Sequence, residues 1–177
     1  ILYIGFVSLA PDVIHIAGTK DYYEGASMVV PLSFAIYFIF LYSLPVHIEY
    51  FYKKTKFIAL GTSLAAVVNI VLNYFFIKQY GYIASAWTTL ASYILLFAFH
   101  WFISKKIDNS PMFPVKMITI SVGLLVVYSG WILLVIDHMI LRWVSMVIFI
   151  ITMMCGCYRV VKPMLIMILG RKENSKK

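Results

Sequence analysis

Residues Phe57 to Ile77 read FIALGTSLAAVVNIVLNYFFI, without one formal charge. About 20 apolar residues in a helix, rising roughly 1.5 Å each, cross the hydrocarbon core of a bilayer. This stretch reaches that length, and three others match it: Met28 to Ile48, Ile83 to Ile103 and Met117 to Ile136. A fifth run, Trp143 to Tyr158, is shorter and bracketed by Arg142 and Arg159. Their long side chains can snorkel to opposite interfaces and extend the span. Ile1 to Ala10 reads as the end of a further helix. Because the sequence starts with Ile inside an apolar run, it is expected to be a fragment of a longer membrane protein. The predicted fold class is all-α: a polytopic membrane helical bundle with five full spans and one partial span.

Composition agrees. The 177 residues are 63% apolar and 12% charged, with a mean hydropathy of +0.92. Soluble domains carry about 25% charged residues, so this chain could not cover a water-exposed surface without large apolar patches. Soluble enzyme, nucleic-acid binder and disordered tail are excluded on that ground. Cys155 and Cys157 stand two apart in an apolar run. No further cysteine or histidine pair completes a disulfide framework or a zinc set, and they read as small buried hydrophobes.

The connections are short: Gly18 to Ser27, Glu49 to Lys56, Lys78 to Tyr82, Ser104 to Lys116, and Asp137-His138. Such lengths make successive helices antiparallel neighbours and leave no room for a soluble domain. Alternate connections share a side. One side holds Lys53, Lys54, Lys56, Lys105, Lys106, Lys116, Arg159, Lys162, Arg171, Lys172, Lys176 and Lys177; the other holds Lys20, Lys78 and Arg142. The positive-inside rule places the richer side, and the C-terminus, in the cytoplasm. The net charge of +8 is thereby explained by topology and by attraction to anionic headgroups of the phospholipid bilayer, with Lys53, Lys54, Lys105 and Lys106 in that role. No nucleic-acid partner is expected. The organisation is thus residues 1–103 with the partial span and three full spans, residues 104–160 with two more, and a basic cytoplasmic tail at 161–177. Pro163 is placed to start a short interfacial segment there.

Gly61, Ala65, Asn69 and Asn73 recur every four residues and form one ridge of the second span. Ser85, Thr88 and Ser92, with Thr89 beside them, offer the next span a matching face. Small residues let helices approach closely, and polar ones hydrogen-bond across the contact. These groups read either as packing glue or as the lining of a polar cavity; Asn69, Asn73, Thr88 and Ser92 are the substrate-pathway candidates. His47, beside Pro45 and Glu49, is a further candidate against an interfacial anchor. His100 lies deeper among aromatic residues, where a buried ionisable group suggests function, but its neutral ring needs only a carbonyl partner. The seven acids fall in loops or at helix ends. No paired carboxylates, metal-ligand cluster, phosphate loop or serine elbow is legible. A conduit is expected rather than an enzyme, with no cofactor and no metal.

Lys54-Thr55, Asn69, Leu72-Asn73, Ile77, Tyr80-Gly81, and Ala84-Ser85-Ala86 with Thr89 resemble the polysaccharide (O-antigen type) flippases of the MOP, or MATE-like, exporter superfamily. Ala10-Pro11-Asp12, Gly18, Tyr22 and Ala26 resemble the same family's outer helix end and following loop. Lys78 stands where the family has Pro, and Ala84-Ser85 replaces Gly-Ala. The matches cover about the first hundred residues. The resemblance implies a two-lobed bundle of which this chain is most of the C-terminal lobe plus two appended spans. It implies flipping of lipid-linked (undecaprenyl-diphosphate) oligosaccharide across the bacterial cytoplasmic membrane by alternating access. The implied partners are that lipid-linked oligosaccharide and the glycan polymerase machinery.

Three rivals stand beside that expectation, and one, a passive structural membrane protein, fits the same composition. A cation-coupled multidrug exporter of the same superfamily would need an intramembrane carboxylate, which the spans as read do not contain. A membrane-embedded glycan polymerase or acyltransferase would need acids, arginines or paired histidines in long outer loops, and these loops are short.

Overall fold

The computed structural model describes residues 2–108 and 115–174. Among them lie six α-helices: α1 (Leu2–Ala17), α2 (Val29–Phe51), α3 (Thr55–Tyr80), α4 (Ala84–Ile107), α5 (Val115–Leu134) and α6 (Met139–Asn174). A 3-10 segment, Lys20–Met28, leads directly into α2. There is no strand among the described residues. Five helices are long and apolar enough to cross a membrane, α1 being shorter. The chain is a multi-pass helical membrane protein.

Two turns have clear local causes. Gly81 closes α3 at φ 76° and ψ −176°, a region that only glycine adopts at little cost, and its N–H bonds Ile77 O at 2.9 Å. After α2, Lys53 takes φ 55°, with Lys53 N to Tyr50 O at 3.0 Å and Lys54 N to Glu49 O at 2.7 Å. Those two bonds make a Schellman cap, a place where glycine is usual. Lys53 tolerates the conformation because the two bonds satisfy carbonyls that would otherwise be orphaned.

Helices α1 and α2 stand at the centre. Helix α2 packs most extensively on α4, and α4 on α3; α1 packs on α5 and α6. One apolar cluster joins Ile4, Val7, Val30, Tyr128, Ile132 and Val135, and a second joins Ala35, Phe38, Leu41 and Leu90. Hydroxyl pairs tie α5 to its neighbours: Ser8 Oγ to Tyr128 Oη at 2.5 Å, and Tyr37 Oη to Ser121 Oγ at 2.6 Å. Such pairs carry weight where lipid removes any hydrophobic drive between helices. Outward faces are apolar instead of charged: Ile70, Val127 and Ile140 are 68%, 70% and 77% exposed. In water that surface would be a liability; in lipid it is solvated.

Three boundaries differ from the sequence reading. Asp12 belongs to α1, which continues to Ala17. Helix α2 continues through Glu49 to Phe51, leaving only residues 52–54 as the turn. Helix α6 passes Pro163 and runs to Asn174, so no separate segment starts there. The basic side chains Arg159, Lys162, Arg171 and Lys172, residues 109–114 of the α4–α5 connection, and residues 175–177 lie outside the described residues.

Candidate functional site

Besides the hydroxyl pairs on α5, three polar contacts stand out among the described residues. The first is the seam between α3 and α4. Gly61 and Ala65 are buried on α3, and Ala84, Ala86, Thr88 and Ser92 on α4. Farther along the α3 ridge, Asn73 Nδ2 donates to Asn69 Oδ1 at 3.1 Å, and Thr88 Oγ1 donates to Asn73 Oδ1. Ser92 Oγ donates to Thr88 O at 2.8 Å. Asn73 and Thr88 are therefore held by each other. Asn69 and Ser92 instead line a groove of about 280 Å³ with Thr62, Thr89 and Tyr93. Within it Thr62 and Ser92 donate to the carbonyls of Ile58 and Thr88, and Asn69 Oδ1 accepts from Asn73.

The second contact lies between α2 and α4 near their shared end. Glu49 Oε1 and His100 Nδ1 are 2.7 Å apart, and both side chains are wholly buried. The Tyr42 ring lies 5.9 Å from the imidazole, and Phe99 meets it edge-on at 5.3 Å. Gly61 of α3 supplies the rest of the wall: a Cβ there would stand 2.7 Å from His100 Nε2. The glycine at the head of the α3 ridge thus makes room for the histidine. Toward the helix ends, Tyr52 Oη donates to Asp108 Oδ2 at 2.7 Å in an exposed bond. That bond, burial and the Asp108 charge hold the Tyr52 phenol above its ordinary value of 10.0.

The third contact sits at the opposite end, where α1 meets α6. Arg142 donates to Asp12 Oδ1 and to Ile136 O, and Trp143 Nε1 donates to Asp12 Oδ2 at 2.8 Å. Arg142 is buried rather than snorkelling to an interface.

Comparison of the chain with protein-family models, curated proteins and solved structures finds no match.

The remaining sequence candidates are dispersed. His47 is exposed on α2, whereas Glu49 and His100 are buried. Lys53 and Lys54 are exposed in the α2–α3 turn, and Lys105 and Lys106 are exposed near the end of α4. The α4 lysines lie over the Trp101 and Phe102 rings at 5.4 and 4.5 Å. The reading of every acid as a loop or helix-end residue is corrected at Asp12, which lies five residues inside the end of α1; Glu49 is a helix-end residue as read. It lies in the last turn of α2, yet it is 0% exposed and belongs to the bundle interior. Two signals in the sequence could have found the pair. An acid and a base each stand near the lysine-rich end of their helix, and alternation places both ends on one side. No cluster of three or more metal-ligating side chains occurs among the described residues.

Proposed function

We infer that this chain is part of a membrane carrier that moves lipid-linked oligosaccharide, on an undecaprenyl-diphosphate anchor, across the bacterial cytoplasmic membrane. The observation that carries the reading is the convergence of Asn69, Asn73 and Thr89, three residues of the flippase-like pattern, on the α3–α4 seam. A carrier of this kind shelters a hydrated sugar from lipid while the prenyl tail stays outside. The groove containing Asn69, Thr89, Ser92 and Tyr93 supplies the polar side of that task. Binding the anionic diphosphate also requires cations. Arg142 is committed to Asp12, whereas Lys53, Lys54, Lys105 and Lys106 are exposed and take that role in this reading. In this reading their side faces the cytoplasm, where the lipid-linked unit is made, and the product is delivered to polymerase machinery opposite.

Deletion of the full-length gene tests the assignment in a strain with no second flippase. Lipid-linked oligosaccharide should accumulate at the inner leaflet; normal surface polysaccharide would overturn it. A second reading, the cation-coupled exporter, is favoured by one observation: Glu49 provides a buried carboxylate within a membrane helix. Drug accumulation in the same deletion, with surface glycan unchanged, would select it.

A further inference from the structure

We propose that Glu49 and His100 form an internal proton-binding site, and that release of its proton opens the lysine-rich end of the α2–α4 contact. The site's ligand is a proton whatever the cargo, so its test uses no cargo.

The 2.7 Å contact between Glu49 Oε1 and His100 Nδ1 needs a proton between the two atoms. With one proton beyond its fully deprotonated state, the pair is neutral overall, as carboxylate with imidazolium or as carboxylic acid with imidazole. Loss of that proton leaves a net negative charge in a dry setting, which is costly to bury. Among the described residues, Glu49 has no ion-pair partner besides His100. Helix α2 presents Tyr42, α3 presents Gly61, and α4 presents Phe99. Beyond them, Phe38, Leu41 and Leu90 form an apolar layer toward the bundle centre. Among the described residues, the charged or imidazole groups at this end are His47 on α2, Lys53, Lys54 and Lys56 around the start of α3, Lys105, Lys106 and Asp108 at the end of α4, and Lys116 on α5; His47 and the lysines are all exposed. The inexpensive remedy is therefore for the helix ends to part and admit water.

A second observation points the same way. Glu49 Oε2 and His100 Nε2 are both buried without a hydrogen-bond partner among the described residues. A contact that served only to hold two helices together would satisfy those atoms, as buried polar groups generally are. Two bare atoms in one pair mark a site that water or a proton carrier completes in another state. The exposed Tyr52–Asp108 bond is the outermost link across the same helix ends, and it must break for that state to form.

Spin labels at Tyr50→Cys and Phe102→Cys, both exposed positions, report the separation of the two helix ends. The full chain is used in lipid nanodiscs, with Cys155→Ser and Cys157→Ser as background. Between about pH 6 and about pH 9 the distance should lengthen by roughly 2 Å or more, the size of known helix shifts. Glu49→Gln keeps a neutral hydrogen-bonding side chain and should lose the change. His100→Gln should lose it too, and decides the matter if Glu49→Gln does not fold. Asp108→Asn should retain the change, because it leaves the Glu49–His100 pair untouched. A constant distance in the unaltered chain overturns the proposal. So does a change that persists in Glu49→Gln or His100→Gln, or one abolished by Asp108→Asn.

Discussion

Asp12 on α1 and Arg142 on α6, 130 residues apart in the chain, hold each other in an ion pair. Arg142 is almost fully buried, Asp12 is 16% exposed, and Trp143 adds a hydrogen bond to the same carboxylate. A guanidinium out of reach of water is tolerable only when its charge is met. This contact clamps the first described helix to the last, and its loss should be felt throughout the bundle.

Asp12→Ala leaves Arg142 buried without its counter-charge. The expected loss is about 3 kcal/mol, the lower end for breaking a buried pair. Arg142→Met in the Asp12→Ala background should restore most of it. Thermal unfolding of the purified protein in detergent measures both; a double variant no more stable than the single one would contradict the ion-pair account.

At the α3–α4 seam, Asn73→Leu removes the acceptor for Thr88 and the donor to Asn69. A loss of about 1 kcal/mol is expected, in line with interhelical hydrogen bonds in membranes. Thr88→Val should cost a similar amount, and the two together less than their sum. Lys20→Ala, exposed in the 3-10 segment, should change stability by under about 0.5 kcal/mol. Equal and negligible effects of Asn73→Leu and Lys20→Ala would remove the seam from the stability account.

Glycines in this chain divide by what surrounds them. Gly61→Ala drives a Cβ to 2.7 Å from both His100 Nε2 and Phe99 Cδ1, so α3 must back away. Overpacking of that kind costs about 1–3 kcal/mol. Gly130→Ala in α5 meets nothing within 4 Å and should gain up to about 1 kcal/mol from helix propensity. Melting temperatures of the two variants should therefore move in opposite directions.

The Tyr52–Asp108 bond gives a dependence on alkaline pH. A phenol whose value is raised in the folded protein favours folding while protonated. Its contribution is complete below pH 10.0 and fades as pH rises through the higher folded value. Phenolate absorbance, compared between the unaltered chain and Tyr52→Phe, should place the ionisation of Tyr52 above pH 10.0. Asp108→Asn should bring it back toward the ordinary range.

Topology is open to labelling. Single cysteines at Lys54 and Lys106 should react with an impermeant reagent from one face of the membrane, and a cysteine at Asp137 from the other. Reaction at 54 and 106 from opposite faces would dismantle the alternation of the spans.

The helices and the polar seam were legible because both rest on local periodicity. Uncharged runs from Met28 to Ile136 have helical length, and Gly61, Ala65, Asn69 and Asn73 repeat every four residues. The two ion pairs were not, because each depends on which distant helices meet. Glu49 ends an apolar run, and a charge at that point reads as the start of a loop. Only the docking of α2 on α4, which brings it to His100 51 residues later, turns it inward. Asp12 and Arg142 were read as loop and interface residues for the same reason.

The order of synthesis gives the Asp12–Arg142 contact a kinetic side. At ribosomal speeds of about 5–20 residues per second, some 130 residues take roughly 6–26 seconds to make. For all of that interval the newborn carboxylate has no arginine to meet. The clamp between α1 and α6 is therefore a late event, closed only after every helix between them has been made.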